Sequence, residues 1–176
     1  MLAKGDVDAI TGFYFTSLLN LEARGVKADD VHVMMYPAYG VKLYGNVIIA
    51  GEEFLKKNPE AVKAFLRAFT KGTRDVLADP AGAIATVKAR DGIINVDLEK
   101  RRLRMAIDSV IASPDARAEG FGMANPGRMA LMASQVSDAF ATKTRVDVNA
   151  VWSDKLLPAK AELNILPPAG KPAAKK

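Results

Sequence analysis

Residues 58–78 read Asn-Pro-Glu-Ala-Val-Lys-Ala-Phe-Leu-Arg-Ala-Phe-Thr-Lys-Gly-Thr-Arg-Asp-Val-Leu-Ala and predict a long amphipathic helix. Asn58 can cap a helix N-terminus, and Pro59 fits its first position because proline has no N–H to leave unpaired there. A helix with a single apolar face needs another element to cover that face. The apolar positions at helical spacing are Val62, Phe65, Leu66, Phe69, Val76 and Leu77.

The sequence on either side of this helix predicts strands that alternate with helices. Short apolar or β-branched runs at 7–10, 31–36 and 43–50 predict three strands. Apolar spacing, caps and stop residues predict further helices at 13–24, 52–57, 81–89, 97–111 and 126–141. This order predicts an α/β fold, although three strands are too few for a self-sufficient doubly wound sheet.

Composition excludes several classes of chemistry. The chain has 176 residues, is 49% hydrophobic and contains no cysteine and one histidine, His32. These counts exclude disulfides, thiolate nucleophiles and cysteine-ligated zinc, and they leave little room for histidine-dependent catalysis. No stretch approaches the ~20 apolar residues of a membrane span, and no signal peptide precedes the fold. We expect no cofactor and no metal.

Charge patterning does not favour a nucleic-acid partner. The net charge is +5, and basic residues follow one face of two predicted helices. Acidic residues are interspersed with them, and no phosphate-binding loop or aromatic–basic pattern accompanies them, so a solvated face is the better interpretation. The basic residues concerned are Lys63, Arg67, Lys71, Arg74, Lys100, Arg101, Arg102 and Arg104.

The first candidate ligand site is the turn Thr11-Gly12-Phe13-Tyr14, between a predicted strand and a predicted helix. Backbone N–H groups at a helix N-terminus favour anionic or polar ligands, and the neighbouring aromatic rings could stack on a planar one. The alternative is an ordinary strand–helix turn whose aromatic residues belong to the core.

The second candidate is the segment around Tyr39, Tyr44 and Asn46, with Pro37 and Gly40 as hinge residues. Tyrosine offers a flat face and a hydroxyl group, and glycine lets the backbone bend, which suits a hinge beside a ligand cleft. The alternative is a surface loop that carries amphipathic aromatic residues.

The order of these pieces resembles a known family. It is similar to the substrate-binding proteins of ABC importers for taurine, alkanesulfonates, nitrate and the thiamine pyrimidine precursor. The matching stretches are Lys4–Ala9, Tyr39-Gly40 with Leu43–Asn46, Asn58–Ala68 with Lys71-Gly72, Asp79–Ala81, Gly120–Gly122 with Arg128-Met129, and Leu156–Pro158.

The resemblance implies a type II periplasmic-binding-protein fold, in which two α/β lobes close on a ligand. Residues 1–43 would then be the end of the second lobe and a hinge crossing, and residues 44–166 the return into the first lobe. The tail at 167–176 is predicted to be disordered. The N-terminal half of such a fold would be missing, and ligand binding would need it.

The function implied is capture of a small anionic or heteroaromatic solute for an ABC permease, with the full-length parent in the periplasm. On this view the chain is not an enzyme. Two alternatives stay open: a sensing or interaction module on the same fold, and a pyrimidine-precursor synthase. The resemblance associates the synthase with a reactive histidine and a cysteine-rich segment.

Overall fold

The computed structural model describes residues 1–166 as an arrangement of helices joined by extended segments. The predicted tail at 167–176 lies outside these residues. The α-helices are α1 (Tyr14–Glu22), α2 (Glu52–Lys57), α3 (Pro59–Ala78), α4 (Pro80–Arg90), α5 (Val96–Ala106), α6 (Pro114–Glu119), α7 (Pro126–Ala139), α8 (Val148–Val151) and α9 (Lys160–Leu163). Short 3-10 helices cover Leu2–Lys4, Ala28–Asp30 and Tyr36–Tyr39, and a π-helical turn, Ile107–Ile111, follows α5.

The long helices begin where the sequence predicts. Pro59 and Pro80 start α3 and α4, and the Asp79 carboxylate accepts a hydrogen bond of 2.9 Å from the Gly82 N–H. The helix predicted from residue 97, with Asp97 as its cap, instead begins at Val96, and Asn95 caps it by accepting from the Leu98 N–H at 3.1 Å. The amide oxygen of Asn95 reaches the open N–H groups of the first turn, whereas Asp97 already lies inside that turn.

The three predicted strands are not formed. No residue among the first 166 has strand pairing, and segments 7–10, 31–35 and 41–50 are extended or irregular backbone instead. A strand is stabilised by hydrogen bonds to a neighbouring strand, and no second extended segment pairs with any of these three. The structure is therefore helix-rich, with 60% helix, and the two-lobe α/β arrangement and its division at residue 43 remain predictions.

The core is small and formed by helices. The contacts of α5 with α1 and α4, and of α3 with α2 and α4, join the first half of the chain to the middle. Leu19 of α1 and Leu163 of α9 are the two largest side chains that are fully buried. The other buried apolar residues are Leu21, Ile84, Met129, Ala133, Ile165 and Leu166.

Three arginines connect parts of the chain that are distant in sequence. Arg102 of α5 donates to the carbonyls of Phe15 and Thr16, both at 3.4 Å. Arg74 of α3 donates to the carbonyl of Glu162 at 2.8 Å, and Arg128 of α7 donates to carbonyls before residue 44. Guanidinium groups therefore supply long-range hydrogen bonds in a fold where strand ladders are not formed.

Large apolar side chains remain on the surface of the unpaired segments. Val47, Ile48 and Ile49 are 58%, 46% and 86% exposed, so both faces of this extended run meet solvent. On α3, Phe65 stacks on Phe69 at a centroid distance of 6.2 Å, and both rings are about half exposed. The helix predicted from residues 58–78 thus forms, but its apolar face is only partly covered.

Within residues 1–166, none of the helices combines the length and the apolar character needed to cross a membrane.

Candidate functional site

The structure brings the two predicted ligand-binding segments together at Phe13 and Gly45. A Cβ placed on Gly45 would lie 3.5 Å from Cε1 and 4.0 Å from Cζ of the Phe13 ring. Gly45 stands between Tyr44 and Asn46, two of the residues predicted to bind a ligand. The turn before α1 and the segment at 44–46 are therefore neighbours, although 30 residues separate them.

Phe13 is a partly exposed aromatic residue of this site. It stands at the N-cap position of α1 in an extended conformation, with φ −71° and ψ 126°. Its ring stacks on Phe15 at a centroid distance of 5.5 Å and an interplanar angle of 24°, yet the residue is 43% exposed. Part of an otherwise packed ring is thus accessible to a planar ligand.

The remaining predicted residues of the turn fit around Phe13. Ser17 Oγ occupies the space that a Cβ on Gly12 would need, so a side chain at position 12 would require this hydroxyl to rotate away. Thr11 is exposed and Tyr14, the first residue of α1, is partly buried.

Tyr44 belongs to a cluster with Asp115 and Arg128, which we call the Arg128 cluster. The Tyr44 hydroxyl donates to Asp115 Oδ2 at 3.1 Å and accepts from the Asn125 N–H at 2.8 Å. The Arg128 guanidinium carbon lies 4.1 Å from the centroid of the Tyr44 ring. Arg128 Nη1 donates to Asp115 Oδ2 at 2.9 Å, which closes the triangle of side chains.

Arg128 also holds the backbone that leads into the site. Its Nε donates to the Lys42 carbonyl at 2.9 Å, and its Nη2 donates to the Leu43 carbonyl at 2.6 Å. Segment 42–45 is thereby attached to α7, which carries Arg128, and to α6, which carries Asp115.

The electrostatics of the Arg128 cluster favour binding over proton transfer. The hydrogen bond from Arg128 lowers the pKa of Asp115, so this carboxylate is ionised at neutral pH. Burial, the largest effect, raises the pKa of Tyr44, and so its hydroxyl stays protonated. An ionised acid paired with arginine and a neutral phenol can orient groups, but neither is prepared to abstract a proton near pH 7.

The other predicted residues are exposed. Tyr39 is 61% exposed and, with the predicted hinge residue Pro37, lies in the 3-10 helix Tyr36–Tyr39. Gly40, the second predicted hinge residue, has φ 84°, and its carbonyl accepts from Gln135 Nε2 at 3.1 Å. Asn46 is exposed, directly after Gly45. Whether any of these residues binds a ligand stays a prediction.

Sequence reasoning missed Asp115 and Arg128 as members of the site. Both are more than 70 residues from Tyr44, and no spacing rule connects such distant positions. The signals that were present are local ones: Ser113-Pro114 and Asn125-Pro126 begin the helices that carry the two side chains.

Other features of the described residues do not compete with this site. Among residues 1–166 there is no group of three acidic or histidine side chains placed to hold a metal ion, and His32 is exposed. A cavity of about 230 Å³ lies between the N-terminal 3-10 helix and α1, and its lining includes Leu2, Ser17 and Leu21. None of the residues that line this cavity belongs to the Arg128 cluster.

The Phe13–Gly45 junction lies within a part of the chain that matches a known protein family. Residues 1–83 match the NMT1/THI5-like family. This family belongs to the type II periplasmic-binding-protein superfamily, so the resemblance stated from the sequence is confirmed for this part of the chain. No solved structure shows a significant match.

The curated relatives of the NMT1/THI5-like region are yeast proteins. Three from Saccharomyces cerevisiae, THI5, THI12 and THI13, are named 4-amino-5-hydroxymethyl-2-methylpyrimidine phosphate synthase. Each is 60% identical to this chain over 90 residues, which cover 47% of this chain and 26% of the relative. The chain therefore spans about a quarter of the length of these relatives.

These relatives overturn the expectation that the chain is not an enzyme, because the proteins it matches are synthases by name. The expectation relied on the missing cysteine and on His32, and neither observation outweighs this level of identity. The family match supports small-molecule binding, whereas the ABC permease and the periplasmic location stay predictions.

Proposed function

We propose that this chain is part of a 4-amino-5-hydroxymethyl-2-methylpyrimidine phosphate synthase and that the Phe13–Gly45 junction contributes to recognition of the pyrimidine. The observation that carries the proposal is the 60% identity to the yeast synthases over 90 residues. Phe13, Tyr44 and Asn46 also lie within residues 1–83, which match the NMT1/THI5-like family.

The chemistry of the junction suits a flat heteroaromatic compound. Phe13 offers part of a ring held by Phe15, and an aromatic face gains most from a planar partner. The exposed amide of Asn46 has both donors and an acceptor, which the amino group and ring nitrogens of a pyrimidine can use.

The phosphate of such a compound is expected near the start of α1. This helix begins with Tyr14, directly after Phe13, and its first-turn N–H groups carry partial positive charge. The ring would therefore lie over Phe13 with its phosphate toward the N–H groups of Tyr14 and Phe15, since the Thr16 N–H already donates to the Phe13 carbonyl. We assign binding and orientation to these residues, since the pKa shifts of Tyr44 and Asp115 do not favour proton transfer near neutral pH.

Calorimetry on the full chain tests the proposal. We expect 4-amino-5-hydroxymethyl-2-methylpyrimidine phosphate to bind and taurine to give no heat. Phe13→Ala should weaken binding by about tenfold, the equivalent of one lost aromatic contact. Phe140→Ala is the matched control, because Phe140 is 77% exposed at the C-terminal end of α7. No binding by the wild type, or equal weakening in both variants, would contradict the proposal.

A second candidate function is delivery of a pyrimidine or sulfonate solute to an ABC permease, with the full-length parent in the periplasm. It is favoured by one observation: the NMT1/THI5-like family that residues 1–83 match belongs to the superfamily of ABC-importer substrate-binding proteins. Binding of taurine, nitrate or an alkanesulfonate in preference to the pyrimidine phosphate would favour this candidate. Formation of the pyrimidine phosphate, followed by mass spectrometry with the full-length parent, would favour the synthase.

A further inference from the structure

The Arg128 cluster links the family-matched region to the half of the chain beyond it. Lys42, Leu43 and Tyr44 lie within residues 1–83, whereas Asp115 and Arg128 lie outside the match. We propose that Arg128 is a positioning residue for the ligand site, fixing the backbone at 42–44 so that Gly45 stays against Phe13. The proposal rests on the proposed function only for the identity of the ligand.

The geometry requires arginine in particular. Three different nitrogens of Arg128 donate in three directions: Nε to Lys42, Nη2 to Leu43 and Nη1 to Asp115. The flat guanidinium also lies over the Tyr44 ring. A lysine ammonium keeps the charge, but it cannot combine this fork of donors with stacking on a ring.

The contacts of Arg128 are partly buried, so their loss should affect the structure around it. The side chains of Arg128 and Asp115 are 25% and 31% exposed, so the pair is partly shielded from solvent. The Tyr44 hydroxyl is held from both sides, by Asp115 and by the N–H of Asn125 at the start of α7. Removal of Arg128 leaves two backbone carbonyls and one carboxylate without this donor and releases the segment that carries Gly45.

A role in stability alone gives different results from a positioning role. If Arg128 only neutralised Asp115, its removal would leave segment 42–45 in place. The pKa of Tyr44 would then rise further, because the lowering effect of the arginine charge would be lost. If Arg128 positions the segment, Tyr44 becomes solvated and its pKa falls back toward 10.0, because burial is the main cause of its elevation.

The experiment uses the full chain with Arg128→Met and Arg128→Lys, and with Arg104→Met as control. Arg104 is a 66% exposed arginine of α5 whose ion pair is local, with Asp108. Tyrosine ionisation is followed by ultraviolet absorbance, with Tyr44→Phe identifying the contribution of Tyr44. The amide resonance of Gly45 is followed by NMR, and binding of the pyrimidine phosphate is measured by calorimetry.

We expect both Arg128 variants to lower the pKa of Tyr44 and to shift the Gly45 amide resonance, while Arg104→Met changes neither. Affinity for the pyrimidine phosphate should fall by about tenfold, as when one bidentate contact is lost. Arg128→Lys provides the readout if Arg128→Met does not fold. An unchanged Gly45 resonance, or a Tyr44 pKa that stays or rises, would overturn the positioning role. Absence of pyrimidine binding by the wild type would overturn the proposed function alone.

Discussion

Gly45 packs against Phe13, with 3.5 Å between its missing Cβ position and Cε1 of the ring. That separation is an ordinary van der Waals distance, so Gly45→Ala should fit without displacing Phe13. Gly45→Val adds two methyl groups toward the ring, and overpacking of this kind costs about 1–3 kcal/mol. We expect ligand affinity to be unchanged in the alanine variant and reduced about tenfold or more in the valine variant, measured by calorimetry.

The same substitutions at Gly51 provide the control, because nothing lies within 4 Å of a Cβ placed there. Gly51→Val should therefore leave affinity unchanged. If Gly45→Val bound the ligand as tightly as Gly51→Val, contact between Gly45 and Phe13 would have no part in the site.

Acid should weaken the attachment of segment 42–45. The hydrogen bond from Arg128 lowers the pKa of Asp115 from its ordinary value of 3.8, so the folded state favours the ionised carboxylate. The unfolded chain then binds more protons than the folded one as pH falls, and stability decreases. The contribution of Asp115 is fully present above its unfolded pKa and is lost as pH falls through its folded pKa.

Chemical unfolding of the wild type and Asp115→Asn at several pH values measures this contribution. The stability difference between them should be constant from about pH 5 upward and should shrink below about pH 4. Asp108→Asn is the control, since Asp108 pairs with Arg104 at an exposed site. A difference for Asp115→Asn that does not change with pH would exclude an ionised Asp115 as its origin.

Substitution by alanine should change the stability of the chain in opposite directions at Gly120 and Gly72. Gly120 has φ 109°, and a Cβ there would lie 3.0 Å from Cβ of Leu163, a fully buried residue. Strain of this kind costs about 1–3 kcal/mol, so Gly120→Ala should destabilise the chain. Gly72 lies inside α3 with open space around it, and Gly72→Ala should stabilise by up to about 1 kcal/mol. Thermal unfolding of the two variants measures both changes in stability. A Gly120→Ala chain that is as stable as the wild type would contradict the prediction.

Helix capping at Asp79 and Asn58 should also differ. Asp79 accepts from the Gly82 N–H, whereas Asn58 makes no side-chain hydrogen bond to the first turn of α3. Asp79→Ala should lower the free energy of unfolding by about 1 kcal/mol, and Asn58→Ala should change it little. Asp79→Asn should retain most of the stability, because an amide oxygen can cap as well. Equal losses at the two positions, measured in urea, would show that the cap is not the cause.

The apolar run at 47–49 should make the chain self-associate. Ile49 is 86% exposed on an unpaired extended segment that bears no charge from Leu43 to Ala50, and such segments pair readily with other chains. Ile49→Lys should lower the average mass measured by light scattering at high concentration. Ile93→Lys is the control, because Ile93 is 95% exposed but outside this segment. The same decrease in both variants would indicate general solubility as the cause.

Local signals were sufficient to predict most of the helices from sequence. Pro59 and Asp79-Pro80 mark where α3 and α4 begin, and both starts are as predicted, although Asn58 makes no capping hydrogen bond. Helices can be read in this way because their hydrogen bonds connect residues four apart. The strand predicted at 43–50 is not formed, because β-branched composition indicates an extended backbone but a strand forms only with a partner.

The candidate site was predicted only in part, because sequence patterns identify local features and not contacts between distant residues. Phe13, Tyr44 and Asn46 were identified from residue type and neighbouring glycines, and the structure places Phe13 beside the 44–46 segment. Arg128 was not recognised as part of the site, because its partners Lys42 and Leu43 are more than 80 residues away. Such a contact depends on packing of α7, which no local pattern specifies.

The arginine contacts described above affect where the chain can be divided. A cut after residue 83 would isolate the family-matched region, yet it would remove Arg102 from the carbonyls of Phe15 and Thr16 and Arg128 from those of Lys42 and Leu43. The domain boundary suggested by sequence similarity is thus not a boundary of the folded unit. Expression trials that stop at residue 83 would yield a fragment that lacks the hydrogen bonds from Arg102 and Arg128. A shorter design should retain residues 1–166, because Leu163 of α9 is fully buried in the core.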